Sequence, residues 1–208
     1  MSFAIIRNSN YKKDNLAGLY KHNERKNTNY SNKNIDRSKF NLNYSLKKCN
    51  TTYYNAFKNL QNQYDLKGRI ISTTNIFCEY VITSDKEFFE KIGKDETLRY
   101  FKTAYKFVAN YQNLGEEFIV SAKVHMDEAC PHMHIVFVPV VHKLDTKSGK
   151  QISKIACSEY WKGKDSYKRL QDNFHSYMTK SGFNLERGLN GNTHIETDKL
   201  KQLTNYEV

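Results

Sequence analysis

The stretch Val124-His-Met-Asp-Glu-Ala-Cys-Pro-His-Met-His-Ile-Val-Phe-Val-Pro139 constrains this chain more than any other. It places three histidines, His125, His132 and His134, within ten residues. His132 and His134 flank Met133 in an apolar run that reads as a strand. Side chains alternate faces along a strand, so these two imidazoles share a face that Met133 and Ile135 do not. His125 ends the preceding apolar segment, and Asp127 to Pro131 form a polar connection short enough for a hairpin. Three imidazoles then converge from two neighbouring strands. One strand histidine alone is usually a packed residue, but a single geometry, a metal site, explains all three. Neutral imidazoles suit manganese, cobalt, nickel, copper or zinc better than calcium, and three protein ligands leave positions open for chemistry.

The charge balance says what such a metal works on. The chain has 208 residues and a formal net charge of +11. Residues 1–50 hold eleven Lys and Arg against three acidic residues, a net +8, together with eleven asparagines. A basic, amide-rich segment favours nucleic-acid phosphate and bases over an anionic membrane surface; the bland alternative is a solvated tail. The length suits one domain with one substantial core. Four isolated cysteines, Cys49, Cys78, Cys130 and Cys157, form no Cys-x-x-Cys pair. With no signal peptide or membrane-length apolar run in view, reduced cysteines in a cytoplasmic protein are expected. Cys130 is a weak candidate for a further ligand, because its place before Pro131 fits a turn.

Periodicity predicts a mixed chain. Strands are expected at Ser2–Arg7, Ile76–Thr83, Glu117–Met126, His132–Val141 and Gln151–Ile155, with an edge strand at Phe183–Arg187. Helices are expected at Asn15–Lys26 with Asp14 as N-cap, at Tyr53–Tyr64, and at Asp85–Tyr111 with a break near Gly93. Ser158–Lys180 reads as one long amphipathic helix closed by Gly182. Asn27 to about Asn50 reads as a long polar loop. The fold class is therefore α+β, an antiparallel sheet with helices packed mainly on one face.

His132-Met133-His134 is a histidine–hydrophobe–histidine motif of the HUH endonuclease kind. The string from His125 to His134 closely resembles the third motif of the MobV-type plasmid mobilization relaxases, the Mob/Pre family. Lys21-His22-Asn23-Glu24-Arg25 resembles that family's first motif and Asn41-Leu42-Asn43-Tyr44 its second. Tyr80–Phe89 and Gly182–Gly188 follow in the family's order, so the resemblance spans essentially residues 1–208 as a single relaxase domain. It implies strand-specific nicking and religation of plasmid DNA, single-stranded or supercoiled, at an origin of transfer, through a covalent 5′-phosphate adduct. It also implies Mn2+ as cofactor, with Mg2+ able to substitute, and places any dimerisation in a C-terminal region beyond Val208.

The candidate roles follow. His125, His132 and His134 hold the metal. Two nucleophiles compete: His22 by the resemblance, and Tyr44, the residue type most HUH enzymes use. A neutral imidazole attacks phosphorus with less activation than a phenol of pKa about 10. Arg25, three residues after His22 on a predicted helix, is placed to hold a phosphate. Glu128 is the orienting or proton-accepting carboxylate, with Asp127 the weaker choice. Arg7, Arg25, Lys26, Arg37, Lys39 and Arg69 are candidate DNA contacts, and Tyr44, if not catalytic, a base-stacking residue. His142, His175 and His194 are read as structural or surface residues. Two other readings stay open: a rolling-circle initiator or transposase using Tyr160, Tyr167 or Tyr177, and a non-catalytic DNA-binding protein with a structural metal.

Overall fold

The computed structural model describes residues 1–30, 32 and 34–188. Its centre is a five-stranded sheet in which every neighbouring pair is antiparallel. In chain order the strands are β1 (Ile5–Lys12), β2 (Tyr44–Lys47), β3 (Asn75–Thr83), β4 (Ile119–His125) and β5 (His132–Phe137). Across the sheet they run β1-β3-β5-β4-β2. The helices are α1 (Leu16–Asn23), α2 (Tyr53–Gln63), α3 (Lys86–Asn110), α4 (Cys157–Tyr160) and α5 (Ser166–Lys180). Two further strands, β6 (Val140–Leu144) and β7 (Gln151–Ile155), pair as a separate ribbon.

Residue parity decides which face each element covers. Cys78, Tyr80 and Ile82 of β3 stand opposite Phe137, Ile135 and Met133 of β5, so all six share one face. The larger helices pack there. Trp161 and Tyr160, at the end of α4, meet Tyr80 and Phe137. Helix α3 places Thr97, Tyr100, Phe101, Ala104, Phe107 and Val108 in one buried stripe at helical spacing, and α5 does the same with Leu170, Phe174 and Met178. Each buried Phe, Val, Leu or Met among them contributes about 1.5–3 kcal/mol. The other face carries Phe77 and Glu79 of β3, and α1 and α2 cover part of it. Tyr53 and Phe57 pack on Phe77, and Asn23 bonds Glu79.

Several boundaries depart from the sequence expectation, each for a physical reason. The first strand starts later and runs on through polar Asn8–Lys12, because the edge position pairs its backbone with β3 whatever the side chains are. The polar stretch 27–50 is not all loop: a 3-10 turn (Arg37–Leu42) leads into the edge strand β2, which pairs with β4. Four residues are too short for a period-2 signal. Helix α1 ends at Asn23, without the expected cap from Asp14, and Arg25 takes a left-handed φ of 53°. The run from His132 breaks after Phe137, where Pro139, with no N–H for a ladder, sends the chain into the ribbon. The expected helix Ser158–Lys180 is two, α4 and α5, interrupted around Gly163 at φ 100°. Phe183–Arg187 makes one parallel bridge, Glu186 to Phe3, rather than a strand. Gly93, at φ 74°, does break α3, and Gly182 closes α5 with the Phe183 N–H reaching the Met178 carbonyl.

Candidate metal centre and active site

The hairpin between β4 and β5 builds the histidine cluster. His125 stands directly opposite His132, and His134 lies two residues along the same face. The ring centroids lie 4.9–5.2 Å apart, and one nitrogen from each ring can be chosen so that all three fall within 4.8 Å of one another. The other nitrogen of each ring is anchored. His125 Nε2 meets the Asn23 carbonyl at 2.8 Å, His132 Nδ1 the Cys130 carbonyl at 3.0 Å, and His134 Nδ1 the Glu79 carboxylate at 2.8 Å. Each anchor acceptor requires its nitrogen to carry the proton, which leaves a lone pair on the facing nitrogen. His125 Nδ1 and His134 Nε2 are buried with no hydrogen-bond partner among the described residues. Orphaned, converging lone pairs of this kind fit a divalent transition-metal ion.

Glu79 is the site residue that sequence reasoning missed. Its carboxylate also accepts from Asn23 Nδ2 at 2.7 Å and from the Tyr11 hydroxyl at 2.9 Å. Burial alone would raise its pKa, but the His134 imidazole and these donors outweigh burial and hold it lowered. The signal was present: one acidic residue inside the apolar run Ile76-Phe-Cys-Glu-Tyr-Val-Ile82 demands a buried partner. Replacing Glu79 with Gln is expected to weaken Mn2+ binding about 10–100-fold while the fold persists, as calorimetric titration would show. Unchanged affinity would mean that the Glu79–His134 bond does not set the ligand.

Burial disfavours the charged form of two of the three imidazoles. It lowers the pKa of His132 to about 4, with the neighbouring His134 adding to the effect, and drives His125 well below its ordinary range. The unfolded chain binds protons on these imidazoles below about pH 6.5, whereas folded His132 stays neutral down to about 4. Stability from this source is therefore complete above pH 6.5 and is lost as pH falls toward 4. Urea midpoints measured with chelator across that window should fall, and less steeply in His132→Gln.

His22 sits in the last turn of α1, over the histidine face, with ring centroids 5.4 Å from His134 and 6.1 Å from His125. Burial, then the charges of His134 and Arg25, hold its pKa below 6.5, so the ring is neutral at neutral pH. Tyr44 is not brought to this cluster. It stands opposite Val124, which shares its face with Met133 and not with His125. Burial pushes its phenol up to about 12, and the hydroxyl is buried without a described partner. Trp161 of the same far face stacks on Tyr167, and Tyr160 and Tyr177 also pack among the far-side helices. No tyrosine of α4 or α5 therefore faces the histidines, which removes the geometric basis of the initiator reading.

Arg25 differs from its expected role. Its side chain is 5% exposed, gripping both oxygens of Asp127 at 2.8 Å and Glu128 at 2.6 Å. Because α1 ends before it, Arg25 does not share a helical face with His22. It ties the end of α1 to the β4–β5 loop instead of facing a phosphate. Glu128 also accepts from Asn32 at 2.8 Å and lies 3.8 Å from His132 Nε2. It therefore flanks the open side of the cluster, while Glu79 sets the imidazole tautomer. Cys130 turns away, donating to the Ser84 carbonyl. Among the candidate DNA contacts, exposed Arg7 lies on the histidine face through its pairing with Val81, the neighbour of His134. Lys26 lines a cavity beside α1. Arg37 and Lys39 sit on the 3-10 turn, bonded to the Thr28 carbonyl and Asp36. Arg69 opens onto a cleft with Cys157 and Trp161, away from the histidines. His142 bonds Ser153 and His175 the Leu185 carbonyl, whereas His194 lies outside the described residues.

The Mob_Pre family model, described as plasmid recombination enzyme, matches residues 1–207. The chain belongs to this family. A plasmid recombination enzyme of Streptococcus agalactiae is 37% identical over 191 residues, covering 90% of this chain and 36% of its own length. A type 3 enzyme of Mammaliicoccus lentus is 32% identical, covering 99% of this chain and 49% of its own length. The chain thus spans about a third to a half of these relatives. Among solved structures, the MobM relaxase domain (MOBV; Mob_Pre), Mn-bound with plasmid pMV158 oriT DNA, matches at TM-score 0.82 and 33% identity. That match covers 97% of this chain and 98% of the other. A second MobM relaxase domain structure, with 26-nucleotide oriT DNA, matches at TM-score 0.71 and 30% identity, over 95% of this chain and 99% of the other. The α+β plan read from the sequence is the plan of this Mob_Pre fold. Among the described residues, no helix is long and apolar enough to cross a membrane.

Proposed function

We propose that this chain is a metal-dependent relaxase domain that nicks one DNA strand at a plasmid origin of transfer and reseals it. The observation that carries the reading is His22, a neutral imidazole held over three others whose facing nitrogens converge. His125, His132 and His134 would hold the ion, Mn2+ by analogy with the solved relatives and Mg2+ as a substitute. When bound, it supplies Lewis acidity toward the scissile phosphate and neutralises charge developing on the leaving oxygen.

The chain's own groups do the rest. A ring nitrogen of His22 forms the bond to phosphorus while the bond to the 3′ oxygen breaks, and that oxygen leaves with the electron pair. The ring must then shed its remaining N–H proton. Glu128, whose charge acts on both His22 and His132, is suited to take it. The phosphoramidate retains the energy of the broken ester, so a 3′ hydroxyl can reverse the step and reseal the strand. Arg25 and Asp127 position α1 against the hairpin. The whole chain acts as one domain, with its basic first 50 or so residues toward DNA, and the cytoplasm, where plasmid DNA lies, is its compartment.

The test is incubation of the protein with single-stranded oligonucleotides bearing mobilizable-plasmid origins, with Mn2+ or with chelator. The expected product is a detergent-resistant, acid-labile adduct, formed only with metal and mapped by mass spectrometry to the peptide containing His22. Cleavage leaving a free 5′ phosphate would make the protein a hydrolytic nuclease. Binding without cleavage on every origin would favour the structural-metal reading.

A further inference from the structure

Beside the histidine cluster lies a cavity of about 360 Å³, lined by Tyr20, Glu24, Lys26, Ser45, Lys48 and Lys123, among others. Register shows how it relates to the metal. Arg7, Val81, His134, Lys123 and Ser45 stand opposite one another in turn across all five strands, one continuous row on the histidine face. Strands lie about 4.8 Å apart, so Lys123 is one strand from His134 and Ser45 about 10 Å from it. The next row inward, Glu79 and Ser121, is roofed by α1 through Asn23 and Glu24. The row through Lys123 runs along the edge of that roof.

The cavity's charge is left open. Lys26, Lys48 and Lys123 form no ion pair with any described carboxylate. Glu24, the acidic group in the wall, is turned onto the Tyr53 hydroxyl and Ser121 Oγ, at 3.2 and 2.8 Å. Lys47, next to Lys48 in the chain, is occupied by the Glu116 carbonyl. Three ammonium groups without an ion-pair partner outnumber the one carboxylate in this concave site, and with the tyrosine ring of Tyr20 in its wall they match a nucleotide with its flanking phosphates.

We propose that this cavity is a subsite for single-stranded DNA, holding the phosphates one or two nucleotides from the scissile bond through Lys26, Lys48 and Lys123. The strand then crosses the sheet along the row, with Arg7 on the far side of the metal. The proposal rests on the relaxase reading for the position of the scissile phosphate. Its binding test does not need chemistry.

Anisotropy of a fluorescein-labelled single-stranded oligonucleotide, measured in chelator over a range of salt, gives the slope of log affinity against log salt. Each lost phosphate contact on a single strand lowers that slope by about 0.7. The variant Lys26→Gln/Lys48→Gln/Lys123→Gln is expected to lower it by about 2, whereas Lys123→Arg keeps it. A charge-matched control on α3, Lys91→Gln/Lys102→Gln/Lys106→Gln, should leave it within about 0.5. An unchanged slope in the first variant, or an equal drop in the control, overturns the subsite even if wild type forms the adduct. A specific drop in a protein that forms no adduct keeps the subsite and rejects the relaxase reading.

Discussion

Alanine at His22 is expected to lower strand cleavage by at least about 10⁴-fold and to remove the covalent adduct, because the proposed nucleophile is gone. Metal and DNA binding should survive, since each cluster histidine is anchored by groups other than the His22 side chain. Thermal melting should stay close to wild type. Tyr44→Phe is the matched control. The Tyr44 hydroxyl is buried without a described partner, so its removal should leave stability unchanged or slightly raised and cleavage near normal. An adduct that persists in His22→Ala and vanishes in Tyr44→Phe would assign the chemistry to the tyrosine and require β2 to rearrange on binding DNA.

The largest stability effect is expected at Arg25. Its replacement by alanine leaves Asp127, which is fully buried, without a counter-charge, and frees Glu128. Breaking a buried pair from one side costs about 3–5 kcal/mol. For a chain of this size that lowers the melting temperature by roughly 10 °C. The pairing is also the tie between α1 and the hairpin loop, reinforced by the Asp36 N–H on the Asp127 carbonyl at 2.8 Å. Cleavage should therefore fall further than stability alone predicts, because His22 loses its fixed position. The double variant Arg25→Met/Asp127→Leu should recover much of the stability and little of the activity. A loss under about 1 kcal/mol for Arg25→Ala would show the pair to be solvated in practice and the tie unimportant.

Much of the site was legible in the chain because its information is local. A strand alternates strictly, so His132-Met133-His134 could only place two imidazoles together, and a connection ending at Pro131 could only return as a hairpin. The β4–β5 register, with His125 opposite His132, is the geometry those spacings require. Glycine breaks followed the same logic at Gly93 and Gly182 but were overlooked at Gly163, inside a run whose amphipathic spacing continued on both sides. The four-residue strand β2 was invisible for the opposite reason, because only pairing with β4 makes it a strand.

Contacts between distant segments lay beyond that local information. Spacing set His22 and Arg25 on one helical face, but Arg25 leaves the helix in a left-handed turn and spends its guanidinium on Asp127, 102 residues away. Glu79 reads as an oddity in an apolar strand until β3 is placed beside β5 and His134 meets it. Tyr44 directly follows Asn43, whose Oδ1 accepts from the Met126 N–H of the hairpin at 2.7 Å, yet cross-strand parity turns Tyr44 to the other face. The sequence by itself determined the three-histidine cluster and the α+β class, because both follow from the two-residue period of a strand. Only the tertiary structure decided which partner orients each imidazole and which of the two candidates, His22 or Tyr44, faces the cluster, because sheet order and register bring those groups together from segments with no local signal for one another.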